Sequence, residues 1–273
     1  MSVQEERGRV FRALHQREGA FVIPNPWDIG SARLLAGLGF EALATTSAGF
    51  AFSLGRRDYG IAREELAAHV TLLAAATDLP VSVDMENGFG DAPEVAAETV
   101  RKMALAGAAG GSIEDATGKP DEPIYGIEFA AERIRAAAEA AHGLPFDFTL
   151  TARCENFLYD RPDLADTIRR LQMYQEAGAD VLYAPGLTSQ DDIADVVNSV
   201  DRPVNVLVGF KGLQLSVPEA SALGVKRLSV GSGLARVAYG ALLNAANAIR
   251  EQEAFTLGDS VPSLSEMSAM FPK

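Results

Sequence analysis

The chain has one cysteine, Cys154, and three histidines, His15, His69 and His142. A single thiol excludes an internal disulfide and makes a reducing cytoplasm the expected compartment. All three histidines fall on or at the ends of expected helices, so none is expected to reach a site. Basic residues are outnumbered, with Lys+Arg 24 against Asp+Glu 37 and a net charge of -13. Nucleic acid and anionic membranes both reward positive charge, so neither is expected as a partner, and an anionic substrate would need a locally positive site. The opening MSVQEERGRVFRALHQ is charged and amphipathic and lacks the apolar segment of a signal peptide or membrane anchor. Nothing resembles an interdomain linker, so 273 residues at 48% hydrophobic read as one large domain.

What the chain does have is a short apolar run that ends in acid. In PVSVDMENGFG, residues 80–90, Pro80 suits a strand's first position, Val81 and Val83 are β-branched, and Asn87-Gly88 stops the run. Strand side chains alternate, so Asp84 and Glu86 are expected on one face with Met85 opposed. Two carboxylates facing one way call for a cation.

The same punctuation recurs. LLAGLGFEALATTS, MALAGAAGGSIED, MYQEAGADVLYAP and EASALGVKRLSVGS each run helix end, glycine, strand, polar loop. Gly39, Gly107, Gly178 and Gly224 stand where a helix end favours a left-handed residue. At the other end of the chain's first helix, Ser2 and Glu5 form an expected capping box, with Val10, Phe11 and Leu14 as its apolar face. Filling the gaps gives eight strands near 21–23, 42–45, 81–84, 111–114, 148–152, 181–183, 204–207 and 227–230, with helices between. Eight such units in a chain close to the usual ~250 residues predict a (β/α)8 TIM barrel over 1–254. An open doubly wound sheet is the alternative, but PNPWDIG after the first strand is no dinucleotide loop.

Barrel sites lie at the carboxyl ends of the strands. There the sequence places Ser47, Ala48 and Gly49 after strand two, Asp84 and Glu86 after strand three, and Glu114 with Asp115 after strand four. Strand five delivers Arg153 and Glu155, strand six Tyr183, and strand seven Asn205, with the stretch up to Phe210 carrying no readable motif. Carboxylates without imidazole or thiolate select a hard cation, so Mg²⁺ is expected, with Mn²⁺ as the alternative. A guanidinium at a strand end suits bidentate capture of a carboxylate or phosphonate.

TSAGFAFSLGRRDYG, SVDMENGFGD, GGSIEDAT and LTARCENFL together resemble the isocitrate lyase/phosphoenolpyruvate mutase superfamily, over essentially the whole chain from Phe21 to Ala248. The resemblance implies a (β/α)8 barrel holding Mg²⁺ through Asp84, Glu86 and Glu114, in part through water. It implies a small anionic 2-oxo acid as substrate, or a 2-hydroxy dicarboxylate that yields one. Such a substrate would meet the amides of Ser47, Ala48 and Gly49, and Arg153, with Asp58 beside the metal waters. Cleaving a C–C or C–P bond next to a ketone leaves an enolate, whose charge a cation, fixed amides and an arginine stabilise.

The departures narrow the reading. Lyases of the superfamily carry a loop with Lys-Lys-Cys-Gly-His or close to it after strand four. Here that region, ATGKPDEPIY over 116–125, has neither cysteine nor histidine, and Cys154 reads as a small buried hydrophobe. Lys119 is the one base in the loop, the expected source of charge or a proton, while Asp121 disfavours the phosphonate chemistry of the mutase branch. A C–C lyase or decarboxylase is therefore expected, with a non-catalytic 2-oxo acid binder and C–P chemistry as the competing readings. GSGLAR, residues 231–236, reads as helix-start packing, and Arg56-Arg57 as a solvated pair. The end of the chain, 255–273, breaks the barrel pattern at Gly258 and Pro262 and presents Leu264, Met267, Met270 and Phe271 at helical spacing. It is expected to pack on a neighbouring subunit of a homo-oligomer, a dimer or tetramer.

Overall fold

The computed structural model describes residues 2–209, 213–252 and 261–271. Eight strands are present: β1 Phe21–Ile23, β2 Leu43–Ala44, β3 Val81–Asp84, β4 Gly110–Glu114, β5 Thr149–Arg153, β6 Val181–Tyr183, β7 Val204–Leu207 and β8 Arg227–Ser229. All pair in parallel in one sheet of order β1-β8-β7-β6-β5-β4-β3-β2. The helices are α1 Val3–Gln16, α2 Ile29–Gly37, α3 Ser47–Ser53, α4 Arg63–Ala76, α5 Pro93–Leu105, α6 Ile127–His142, α7 Leu164–Glu176, α8 Gln190–Asn198, α9 Val217–Ala222, α10 Gly233–Gln252 and α11 Leu264–Ala269. The (β/α)8 barrel expected from the recurring α–Gly–β module is the fold.

Local chemistry sets the boundaries. Ser2 Oγ accepts from the Glu5 amide and Glu5 Oε2 from the Ser2 amide, the capping box that starts α1. Gly107 and Gly178, after α5 and α7, adopt φ 104 and 106, and a Cβ at either would lie 2.9 Å from the Cβ of Ala74 or Ala138. Only glycine turns the chain from helix to strand there. Between helices and sheet lies an apolar layer that includes Val100, Met103, Ile113, Ile134, Leu150 and Leu171.

α1 closes one mouth of the barrel. Its Phe11 and Leu14 pack on Phe21, Ala42 and Ala109, at the amino ends of strands, and on Ile23 of β1. The carboxyl ends stay open. On one side the ring is held differently from the rest: no ladder joins β1 to β2 among the described residues. Instead the Ala44 amide donates to Pro24 O at 3.0 Å, and Asn25 bridges, donating to Thr45 O at 2.9 Å and accepting from the Val230 amide at 3.0 Å.

One expectation is corrected here. Asp84 ends β3, and Glu86 is not its alternating partner: Glu86 sits at φ 48, inside a turn in which the Gly88 amide donates to Met85 O at 2.8 Å. The turn starts before Asn87-Gly88, so strand alternation does not orient Glu86. Phe210, and the residues of the expected extension at 255–260 and 272–273, lie outside the described residues. In the described part, α11 has no buried residue, and Leu264 and Met270 are exposed, as are Val237, Leu242 and Leu243 on α10. Among the described residues no helix is long and apolar enough to cross a membrane.

Candidate active site

The open end of the barrel holds a cavity of about 610 Å³, and strand register decides what faces it. Glu114 on β4, Arg153 on β5 and Tyr183 on β6 are direct neighbours in the ladder, so their side chains meet. Arg153 is the hub. Its Nη1 lies 3.0 Å from Asp84 Oδ1, its Nη2 2.9 Å from Glu114 Oε2 and its Nε 2.8 Å from Glu155 Oε1. The guanidinium carbon sits 5.3 Å from the centre of the Tyr183 ring, a cation–π contact.

The loop after β2 completes the wall. Ser47 opens α3, and its Oγ lies 3.0 Å from Asp58 Oδ1 and 2.9 Å from Asp84 Oδ2, to which its amide also donates at 3.1 Å. Thr45 Oγ1 accepts from the Asp84 amide at 2.9 Å and fixes the strand end. Ala48 lines the cavity. Gly49 does not: its amide donates to Thr46 Oγ1 as part of the α3 cap, and a Cβ there would sit 2.6 Å from Thr46 Cγ2. Of the three expected residues, Ser47 and Ala48 line the cavity, the Ser47 amide being bonded to Asp84, and Gly49 supports them.

Charge is badly out of balance. Asp58, Asp84, Glu86, Glu114 and Glu155 crowd around Arg153, and four of the five, Asp58, Glu86, Glu114 and Glu155, are raised from the ordinary carboxyl range. Burial and the nearby Asp84 raise Asp58. Burial, then Asp84 and Asp58, push Glu86 up to about 8. Burial outweighs Arg153 for Glu114, which is raised, and for Glu155, which reaches about 8. Burial works to discharge Arg153 itself, but Glu114, Glu155 and Asp84 outweigh it and hold the guanidinium charged.

Glu86 Oε1 is buried with no hydrogen-bond partner. A buried, unpartnered oxygen on Glu86, whose charged form Asp84 and Asp58 disfavour, fits a hard divalent cation, although Glu86 is not among the residues lining the cavity. Among the described residues no three acidic, histidine or cysteine side chains converge as direct ligands.

Other expected residues fall elsewhere. Lys119 Nζ pairs with Asp91 Oδ2 at 2.6 Å and is not among the residues lining the cavity. Asn205 lines it from deeper in the barrel, 3.0 Å from Ser229 Oγ. Asp115, next to Glu114, points the other way. It bonds the Glu155 amide at 2.8 Å, Arg170 at 3.0 Å and the Tyr174 hydroxyl at 2.6 Å, and so ties β4 and the turn after β5 to α7. Cys154 is fully buried, as expected. None of the histidines lines the cavity. Gly231, Ser232 and Arg236 of GSGLAR do line it.

Two tyrosines were not expected. The Tyr59 hydroxyl donates to Glu114 and lies 3.4 Å from the Tyr159 hydroxyl, and both rings line the cavity. Burial and Glu114 raise Tyr159 to about 12, which keeps it a neutral donor. Tyr59 holds φ 60, an uncommon conformation for a side chain other than glycine. Each follows closely on a residue already singled out, Asp58 or Glu155, and that adjacency was the available signal.

Eight parallel strands with a carboxylate-ringed arginine at their carboxyl ends define a barrel of the isocitrate lyase/phosphoenolpyruvate mutase superfamily. The chain belongs to the phosphoenolpyruvate phosphomutase family, whose model matches residues 11–250. A structure from Burkholderia cenocepacia, described as a candidate lyase/mutase, is 57% identical with a TM-score of 0.95, covering 98% of this chain and 96% of that one. The 2-methylisocitrate lyase of Escherichia coli (strain K12) is 32% identical over 205 residues, 72% of this chain and 68% of that protein. Oxaloacetate acetylhydrolase, solved with its product oxalate, is 25% identical with a TM-score of 0.86, covering 97% of this chain and 93% of that one. The protein is an enzyme of this superfamily.

Proposed function

We propose that the protein is a Mg²⁺-dependent carbon–carbon lyase or decarboxylase acting on a small 2-oxo acid or 2-hydroxy dicarboxylate. One observation carries this reading: Arg153 stands within 3.0 Å of carboxylate oxygens of Asp84, Glu114 and Glu155, with the buried Glu86 Oε1 unpartnered. Asp84, Glu86 and Glu114 would hold the cation, partly through water, with Mn²⁺ as the alternative. When bound, Mg²⁺ supplies a Lewis acid and offsets the excess negative charge.

The chain's own groups supply the rest. Freed from its present partners, Arg153 offers a planar pair of donors to the substrate carboxylate. The Ala48 amide, and the Ser47 hydroxyl once it leaves Asp58 and Asp84, would donate to oxygen on which negative charge develops as the C–C bond breaks. Asp58, raised by burial and by Asp84, can hold a proton at its carboxyl. Tyr59 and Tyr159 cover Glu114 from the solvent side and limit water. Lys119 would join by leaving Asp91 as the 116–125 loop closes. Its present pairing off the cavity also favours the second reading, a barrel that binds a 2-oxo acid without turnover.

A panel of 2-oxo acids, 2-hydroxy dicarboxylates and a phosphonate, assayed with Mg²⁺ for gain or loss of 2-oxo acid, separates turnover from binding and C–C from C–P chemistry. Calorimetric titration of Asp84→Ala and Glu114→Ala should show Mg²⁺ binding abolished in both. Parent-like binding in both variants would remove the cation site from this reading. The homo-oligomer, with residues from 255 onward exchanged between subunits, and the cytoplasmic setting expected from the lone cysteine belong to the same proposal.

A further inference from the structure

A second arginine stands at the far end of the cavity. Arg227 is the first residue of β8, is 4% exposed, and lines the cavity from below. Its Nε donates to Asn205 Oδ1 at 2.9 Å and its Nη2 to Thr151 Oγ1 at 3.0 Å. Nη1 lies 3.3 Å from His15 Nε2 on α1. His15 Nδ1 faces the Phe11 carbonyl at 2.8 Å, so Nδ1 carries the ring proton and Nε2 accepts from Arg227. Burial, then the neighbouring guanidinium, push His15 down to about 3, so the ring stays neutral.

All three partners of Arg227 are thus neutral, and two of its five N–H groups have no acceptor among the described residues. No carboxylate pairs with it there, whereas Arg153 has three. Burial pulls Arg227 down to about 10, which leaves it charged at neutral pH. A buried charge without a counter-ion is costly, and an anion relieves that cost.

Register shows which anion reaches it. Arg153 pairs with Tyr183, Tyr183 with Asn205, and Asn205 with Arg227. Because the strands are staggered, this one row descends from the last residue of β5 to the first of β8. The two arginines stand at opposite ends of a line of inward-facing side chains. Ser229 Oγ holds the Asn205 amide nitrogen at 3.0 Å, which turns the amide oxygen toward Arg227.

We propose that Arg227, oriented by Asn205 and Thr151, is the subsite for the second carboxylate of the substrate and selects dicarboxylic over monocarboxylic 2-oxo acids. This rests on the 2-oxo acid reading above and names its substrate class. The test is calorimetry on the full chain with Mg²⁺, using oxalate and two length-matched pairs: 2-oxoglutarate against 2-oxopentanoate, and 2-oxoadipate against 2-oxohexanoate. The parent should favour the dicarboxylate of at least one pair by about 10-fold or more, on the scale of a charged hydrogen-bonded contact. Arg227→Gln should bring that ratio near one and leave oxalate binding within about 2-fold, because oxalate lacks a distal group. Asn205→Asp, which gives Arg227 a carboxylate of its own, should also erase the ratio and serves if Arg227→Gln does not fold. A ratio near one for both pairs in the parent, or a ratio that survives both substitutions, overturns the subsite. Failure of the parent to bind oxalate counts against the 2-oxo acid reading instead, and the paired ratios are read independently of it.

Discussion

Glu86→Gln probes how the metal-free site tolerates its own charge. In the unfolded chain this carboxyl ionises near its ordinary 4.5, whereas in the fold it is pushed up to about 8 by burial and by Asp84 and Asp58. Between those values the folded protein keeps a proton that the unfolded chain has lost. The folded state therefore binds more protons, and stability falls as pH rises through the window. From pH 6 to pH 8 the loss due to Glu86 alone is about 2 kcal/mol by linkage. For a domain of this size that is roughly 4–8 °C in melting temperature. Thermal unfolding in chelator at the two pH values should show the parent melting lower at pH 8, with the difference smaller by that amount in Glu86→Gln. Asp58, Glu114 and Glu155 are raised too and contribute with the same sign to both proteins, so comparing slopes isolates Glu86. Added Mg²⁺ should flatten the parent's slope, because a bound cation favours the ionised form. Equal slopes for parent and variant in chelator would refute the view that the empty fold holds Glu86 protonated.

Arg153→Ala should raise KM and lower kcat/KM by about 10²-fold or more on any substrate the panel finds, since a charged contact to the substrate is lost. Lys119→Ala should lower kcat by about 10²-fold with Mg²⁺ affinity unchanged, the scale of a positioned acid. Its pair with Asp91 is exposed at both ends and is weak enough to break on closure. Kinetic constants within scatter of the parent would remove Lys119 from the mechanism. Deleting the chain from Leu264 onward should shift the protein to smaller species in light scattering, and a monomeric full-length protein would end that idea.

The fold was legible because each α–Gly–β unit announces itself twice, by a left-handed glycine and by a short β-branched run. Arg153, Asp84 and Glu114 were legible because a barrel strand puts its chemistry at its carboxyl end. Glu86 lies beside Asp84 and Asp58, but strand alternation is not what brings it there: a turn does. Asp115 looked identical in kind to Glu114, yet one position along a strand reverses the face, and it became a tie between β4, β5 and α7. Asn205, expected at a strand end, sits deeper, because barrel stagger makes its single register row descend from β5 to β8. His15 was set aside as helical, which it is. What the sequence could not show is that α1 lies across the strand starts and carries that ring to Arg227.

The junction of β1 and β2 has a mechanical consequence. Elsewhere around the ring adjacent strands share main-chain ladders, whereas here one backbone bond and the side chain of Asn25 span the gap. Asn25 also grips Val230, just past β8, so a single amide fastens three neighbouring segments, much as one rivet would join three plates. Losing Asn25 would leave the single Ala44–Pro24 backbone bond to span that seam, close to the Ser47 loop. The rim of the cavity would then rest, at that seam, on one main-chain bond where every other pair of neighbouring strands has a ladder.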